Sequence, residues 1–115
     1  MTDTDSSEPN NATRKMDISS ILSPSGVIPA LRSGAKKAVL EELAEKAAEV
    51  TGREAGEIFS VLLDREKLGS TGVGGGVAIP HGKLADLDRL HMIFARAQNS
   101  IEFDAVDEHP VDLFC

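Results

Sequence analysis

At 115 residues the chain has room for one domain, and an apolar content of 41% is enough for a packed core. Aromatics make up only 3%, without Trp or Tyr, so stacking platforms for bases or sugars are essentially missing. A formal net charge of −7 argues against nucleic acid or an anionic membrane as partner, no apolar run could span a bilayer, and a single cysteine, Cys115, suits a reducing cytoplasm.

Residues 1 to about 15 (MTDTDSSEPNNATRK) hold nothing to bury and read as a disordered tail, leaving 16–115 as the single domain. MDISSIL follows as a short helix or turn. Val27 to Leu31 reads as a strand, and Pro29 marks it as an edge or an end. Ser33 is the expected N-cap of GAKKAVLEELAEKAAEV, where Ala35, Val39, Leu43, Ala47 and Val50 recur at helical spacing and Leu40 and Ala44 widen the stripe. Gly52 stops this helix. A second helix is expected from about Glu54 to Lys67, burying Ile58, Phe59, Leu62 and Leu63, with Gly69 just beyond its end and Arg65 and Lys67 complementing its dipole.

GSTGVGGG then places five glycines in eight residues before the short apolar strand Val77-Ala78-Ile79. Leu90 to Ala97 (LHMIFARA) reads as a central strand, Ile101 to Phe103 as a partner, and Val111 to Cys115 as another interior strand. Two substantial helices are too few to cover both faces of a sheet with such strands, so further C-terminal elements are expected beyond Cys115.

The glycine-rich stretch invites phosphate readings. A Walker A loop fails, because Val77 stands at its first glycine position and Leu84 follows Gly82-Lys83. A dinucleotide loop fails because the stretch leads into a strand. His81, His91 and His109 lie ten and eighteen residues apart without zinc-site spacing, and no G-x-S-x-G elbow exists, so neither a metal site nor a serine hydrolase is expected.

What remains is one histidine in an unusual setting. Pro80 extends Ile79, removes an N–H and ends the strand abruptly, presenting His81 at its tip. Gly82 permits close approach, the backbone of Gly69 to Gly76 can form an anion nest, and Ser70 and Thr71 add hydroxyl donors. Arg65 brings a planar fork suited to phosphate. These are the parts of a phosphohistidine site: a nucleophilic imidazole with donors around the transferred oxygens. His91 reads as a packing residue, His109 as an exposed loop residue, Cys115 as a strand thiol without a redox role, and Lys83 as a solvated charge.

The run from Glu66 through Val73-Gly74, Val77-Ala78-Ile79 and Pro80-His81-Gly82, with Arg65 sixteen residues before His81, resembles the fructose/mannitol-type IIA family of bacterial phosphotransferase systems. LGSTGVGGGVAIPHGKL and the opening MDISSILSP with VIPAL are similar to its nitrogen-regulatory branch. The resemblance implies an α/β fold, a mixed sheet flanked by helices on both faces. It implies phosphoryl transfer from phosphoenolpyruvate through enzyme I and a histidine phosphocarrier protein to Nε2 of His81, with no cofactor. Arg65 would stabilise the phosphoryl group. The family's second active-site histidine, on a C-terminal helix, has no counterpart by chain order, since His91 and His109 precede that position. The nitrogen-type match favours a regulator whose phosphorylation changes its partners, such as sensor kinases or potassium transporters. A sugar-specific component passing phosphate to a transporter's IIB domain is the alternative, and an inactive fragment a third.

Overall fold

In the computed structural model, which describes residues 17–115, a short helix α1 (Ile18–Ile21) and one 3₁₀ turn lead into strand β1 (Val27–Leu31). Helices α2 (Lys36–Thr51) and α3 (Ala55–Lys67) follow, then strands β2 (Gly72–Gly74), β3 (Val77–Ala78), β4 (Phe94–Ile101) and β5 (Val111–Phe114). The tail expected over residues 1–15 lies outside the described residues. The strands form one mixed sheet in the order β1-β4-β5-β3-β2. β1 runs parallel to β4 and β3 parallel to β5, while β4–β5 and β2–β3 are antiparallel. Pro29 therefore lies on an edge strand, where its missing N–H leaves no gap inside the ladder.

Register sorts the side chains into two faces. Ile28 pairs with Ala95, Ala95 with Phe114 and Phe114 with Ala78, so these four share a face, and all are buried. Val39, Leu40 and Leu43 of α2 complete this core, against which Phe59, Leu62 and Leu63 of α3 pack. Phe103 meets Phe114 edge-on at 5.2 Å between ring centroids and carries the Lys36 ammonium 4.8 Å above its own. The opposite face presents Val27, Phe94 and Leu113 half-buried and Arg96 exposed.

Several local expectations shift. Ser33 does not cap α2: the cap position is Ala35, without a side-chain bond, and the Ser33 hydroxyl instead donates to Glu42 at 2.7 Å. The central strand begins at Phe94 and not at Leu90. Before Phe94 the neighbouring β1 gives way to the 3₁₀ turn, so a ladder has no partner on that side, and the Met92 N–H bonds Ile21 O instead. Ile101 is the end of β4 itself, paired with Val111, and not the start of a separate strand. Of the four α3 residues expected in the core, only Ile58 is buried; the other three are half-buried.

A carboxylate clip holds the β2–β3 hairpin to the loop before β5. Asp107 accepts the Gly75 N–H at 3.0 Å and the His109 N–H at 3.1 Å. These bonds, led by that from His109, hold the Asp107 carboxyl below its ordinary value of 3.8. A depressed folded-state pKa means that the clip stabilises the fold at pH above 3.8 and loses its contribution as pH falls through the lower folded value. Acid titration followed by NMR should therefore move the Gly75 and His109 amide resonances together, with a midpoint below 3.8. Asp107→Asn should remove that step, and a midpoint at or above the ordinary value would show that the clip does not form in solution.

Candidate active site around His81

The hairpin and β5 fix the segment that ends at His81. Ile79 N–H bonds Thr71 O at 2.9 Å, and Cys115 N–H bonds Ala78 O at 3.0 Å. Pro80 has no N–H to continue either ladder, so the chain leaves the sheet and His81 stands exposed at the strand's tip. Its ring turns back on the strand, with Nδ1 2.9 Å from the carbonyl oxygen of Ile79. A carbonyl can only accept, so in the neutral imidazole Nδ1 carries the proton and Nε2 the lone pair. Among the described residues nothing hydrogen-bonds Nε2.

The segment after His81 docks on α3. A Cβ at Gly82 would run into Cγ1 of Val61, so the backbone lies against that side chain as only glycine allows. Val61 and Arg65 are one helical turn apart and face the same way. Arg65 Nη1 donates to Gly69 O at 2.8 Å, which uses one of its five N–H donors and fixes the guanidinium beside the α3–β2 connection. Further along, Arg53 Nη1 donates to Ala85 O at 2.6 Å and ties down the loop that follows the histidine.

Ser70 and Thr71 lie beside Ile79-Pro80, but their hydroxyls turn inward. Ser70 Oγ donates to Phe103 O at 2.7 Å, and the Thr71 hydroxyl donates to the buried carboxylate of Glu66. The expected anion nest is likewise filled from within. Glu66 takes the Thr71 N–H at 3.0 Å, Ser70 Oγ takes the Gly72 N–H at 3.0 Å, and Asp107 takes that of Gly75. The glycines serve other ends: Gly72 admits Ala105, whose Cβ would lie 2.7 Å from a side chain there, and Gly74, Gly75 and Gly76 adopt the positive φ of the turn.

A groove of about 550 Å³ opens beside His81 between α2, α3 and the 83–93 segment. Leu43, Ile58, Leu62, Leu87 and Ile93 form its apolar walls, Lys83 and Arg89 lie along it, and no Asp or Glu is among its lining residues. His91 is half-buried in the same wall, and Cys115 is a free, half-buried thiol there. His109 sits apart, exposed, 3.8 Å from Asp107. Among the described residues, no group of three or more His, Cys, Asp or Glu is placed to hold a metal ion, and no helix is long and apolar enough to cross a membrane.

Sequence reasoning assigned no role to Glu66. A signal was available: an acidic residue in the last turn of a helix opposes the dipole, which calls for a compensating partner.

Residues 20–115 match the family described as phosphoenolpyruvate-dependent sugar phosphotransferase system, EIIA 2. The chain is 51% identical over 98 residues to the nitrogen regulatory protein of Bradyrhizobium diazoefficiens, covering 85% of this chain and 64% of that protein. The Escherichia coli nitrogen regulatory protein is 41% identical over 105 residues, covering 90% of this chain and 64% of its own length. Both are thus matched over less than two thirds of their length. The crystal structure of nitrogen regulatory protein IIA-Ntr from Neisseria meningitidis superposes with a TM-score of 0.80 at 38% identity, over 84% of this chain and 66% of that one.

The Gly82–Val61 contact makes a direct test of the docking that presents His81. Gly82→Ala should destabilise the chain by about 1–3 kcal/mol through overpacking, read as a lower denaturant midpoint. Val61→Ala on that background should restore part of the loss; strict additivity of the two changes would mean that the contact is not made.

Proposed function

The chain belongs to the EIIA type 2 family of the phosphoenolpyruvate-dependent phosphotransferase system, in its nitrogen-regulatory branch, and from that premise we propose that it accepts a phosphoryl group on Nε2 of His81. The observation that carries this reading is the bond from Nδ1 to Ile79 O. It leaves an exposed imidazole whose outward nitrogen already has its lone pair in place, so attack needs no prior proton transfer.

The donor is a histidine phosphocarrier protein, itself phosphorylated by enzyme I from phosphoenolpyruvate. Its P–N bond breaks as the bond from phosphorus to Nε2 of His81 forms, in line, and the donor imidazole leaves. The His81 ring gains positive character while Nδ1–H stays on the carbonyl oxygen of Ile79, which stabilises that charge. Arg65 meets the phosphoryl oxygens with the donors that Gly69 does not engage, and Lys83 and Arg89 give the groove a cationic lining. Gly82 contributes close packing beside the acceptor. Ser70 and Thr71 act through the frame of the hairpin, because their hydroxyls are engaged inside the protein.

Phosphorylation then acts as a switch. A phosphoryl group adds about two negative charges to a groove whose walls are apolar, which changes the partners that this face can hold. The nitrogen-regulatory match supports regulatory targets in the cytoplasm, such as sensor kinases or potassium transporters, over onward transfer to a transporter domain.

Incubation with phosphoenolpyruvate, enzyme I and the histidine phosphocarrier, followed by intact-mass measurement at alkaline pH, should show one acid-labile phosphoryl adduct. His81→Ala should abolish it without loss of a cooperative melt. Arg65→Ala should slow its formation by about a hundredfold or more. An adduct that survives His81→Ala would refute the acceptor role, and a wild-type rate in the Arg65 variant would refute the role of the guanidinium.

A further inference from the structure

The connection between α3 and the hairpin turns on one carboxylate that the phosphoryl-transfer reading leaves without a part. Glu66 is 7% exposed, in the last turn of α3. Its Oε1 lies 2.9 Å from Lys36 Nζ at the start of α2. Its Oε2 accepts the Thr71 N–H at 3.0 Å and the Thr71 hydroxyl as well. Thr71 O in turn accepts the Ile79 N–H, and Ile79 O accepts Nδ1–H of His81, each at 2.9 Å. Four hydrogen-bonded or ionic links thus run from the N-terminus of α2 to the imidazole, joined in turn by the Glu66 carboxylate and by the backbones of Thr71 and Ile79.

The first link is itself held. The Lys36 ammonium stands over the ring of Phe103, and the Phe103 carbonyl receives the Ser70 hydroxyl. Arg65 is drawn into the same frame, because Gly69, whose carbonyl its Nη1 bonds, lies in the short span that the Glu66–Thr71 contact closes. One buried group therefore bears on both residues that the proposed reaction uses.

We propose that Glu66 is a positioning residue for His81, fixing through Thr71 and Ile79 the carbonyl that selects the Nδ1–H tautomer. The inference rests on the reading of His81 as acceptor, but it concerns the resting imidazole and can be tested without any phosphoryl donor. A carboxylate is required by the donor count. Three donors converge, from Lys36, the Thr71 amide and the Thr71 hydroxyl, and an amide side chain would present its own N–H₂ to one of them. In Glu66→Gln the mismatch falls on Lys36. Removing that ammonium as well, in Lys36→Met/Glu66→Gln, leaves the amide oxygen free to hold Thr71.

The test is ¹⁵N NMR of the His81 ring in the full unphosphorylated chain, alongside the phosphorylation rate. Wild type should show one protonated nitrogen at Nδ1 and one lone-pair nitrogen at Nε2. Glu66→Ala and Glu66→Gln should give shifts averaged over both tautomers and a rate lowered about tenfold or more. Lys36→Met/Glu66→Gln should recover the wild-type ring pattern, which an effect of negative charge alone would not do. A Glu66→Ala chain that melts cooperatively with its ring pattern unchanged overturns the proposal. Should that variant not fold, Glu66→Gln takes its place, and an unchanged pattern there is equally fatal. A phosphoryl adduct retained in His81→Ala, with the expected ring shifts in wild type, would sink the acceptor reading and leave the positioning intact.

Discussion

A carboxylate buried at the wrong end of a helix organises this molecule. Glu66 lies where α3 ends, facing carbonyl groups that repel it, and out of reach of water that would solvate it. Such a group persists only when its lone pairs are filled, and here the ammonium of Lys36 and two donors of Thr71 fill them. The consequence is mechanical: the start of α2, the end of α3 and the hairpin cannot move independently. A buried ion pair contributes little net stability once desolvation is counted, so its importance lies in the arrangement that it selects.

The glycines belong to that arrangement. A run of five in eight residues suggests a flexible, phosphate-cradling loop, yet four of them build a hairpin in which each answers a local demand. Gly72 lies against Ala105, while Gly74, Gly75 and Gly76 turn the chain at positive φ. Carboxylates and a hydroxyl of the protein itself occupy the amides that could have met an anion. Lys83 and Arg89 line the groove beside His81, with no Asp or Glu among its lining residues, so a chain with net charge −7 keeps cationic side chains at this face.

On the proposed reading, the apolar walls of that groove become the surroundings of a phosphorylated imidazole. Water at an apolar wall is readily displaced by a partner's side chains, whereas a doubly charged group at its rim holds water in place. Phosphorylation of His81 would then control which of these applies, and the bond from its ring to Ile79 O would set the attacking nitrogen before any donor arrives.

Much of the site was legible in the sequence because it depends on covalent constraints. Pro80 ends a ladder wherever it occurs after a short strand, so the exposure of His81 followed from neighbouring residue types. Helical periodicity located α2 and α3 to within a residue or two, and Pro29 marked the edge strand. Other features depended on partners distant in the chain. Leu90 to Ile93 has the composition of a strand but lacks a neighbour on the β1 side, and only the register of β1 reveals that. Ser33 has the chemistry of a cap but bonds Glu42 instead. Ser70 and Thr71 carry the right hydroxyls, and tertiary packing turns them toward Phe103 and Glu66. The sequence alone determined which histidine stands exposed at the strand's tip, because strand termination is local. Which nitrogen of that residue is free, and what holds it so, was decided by hydrogen bonds between segments that only the folded chain brings together.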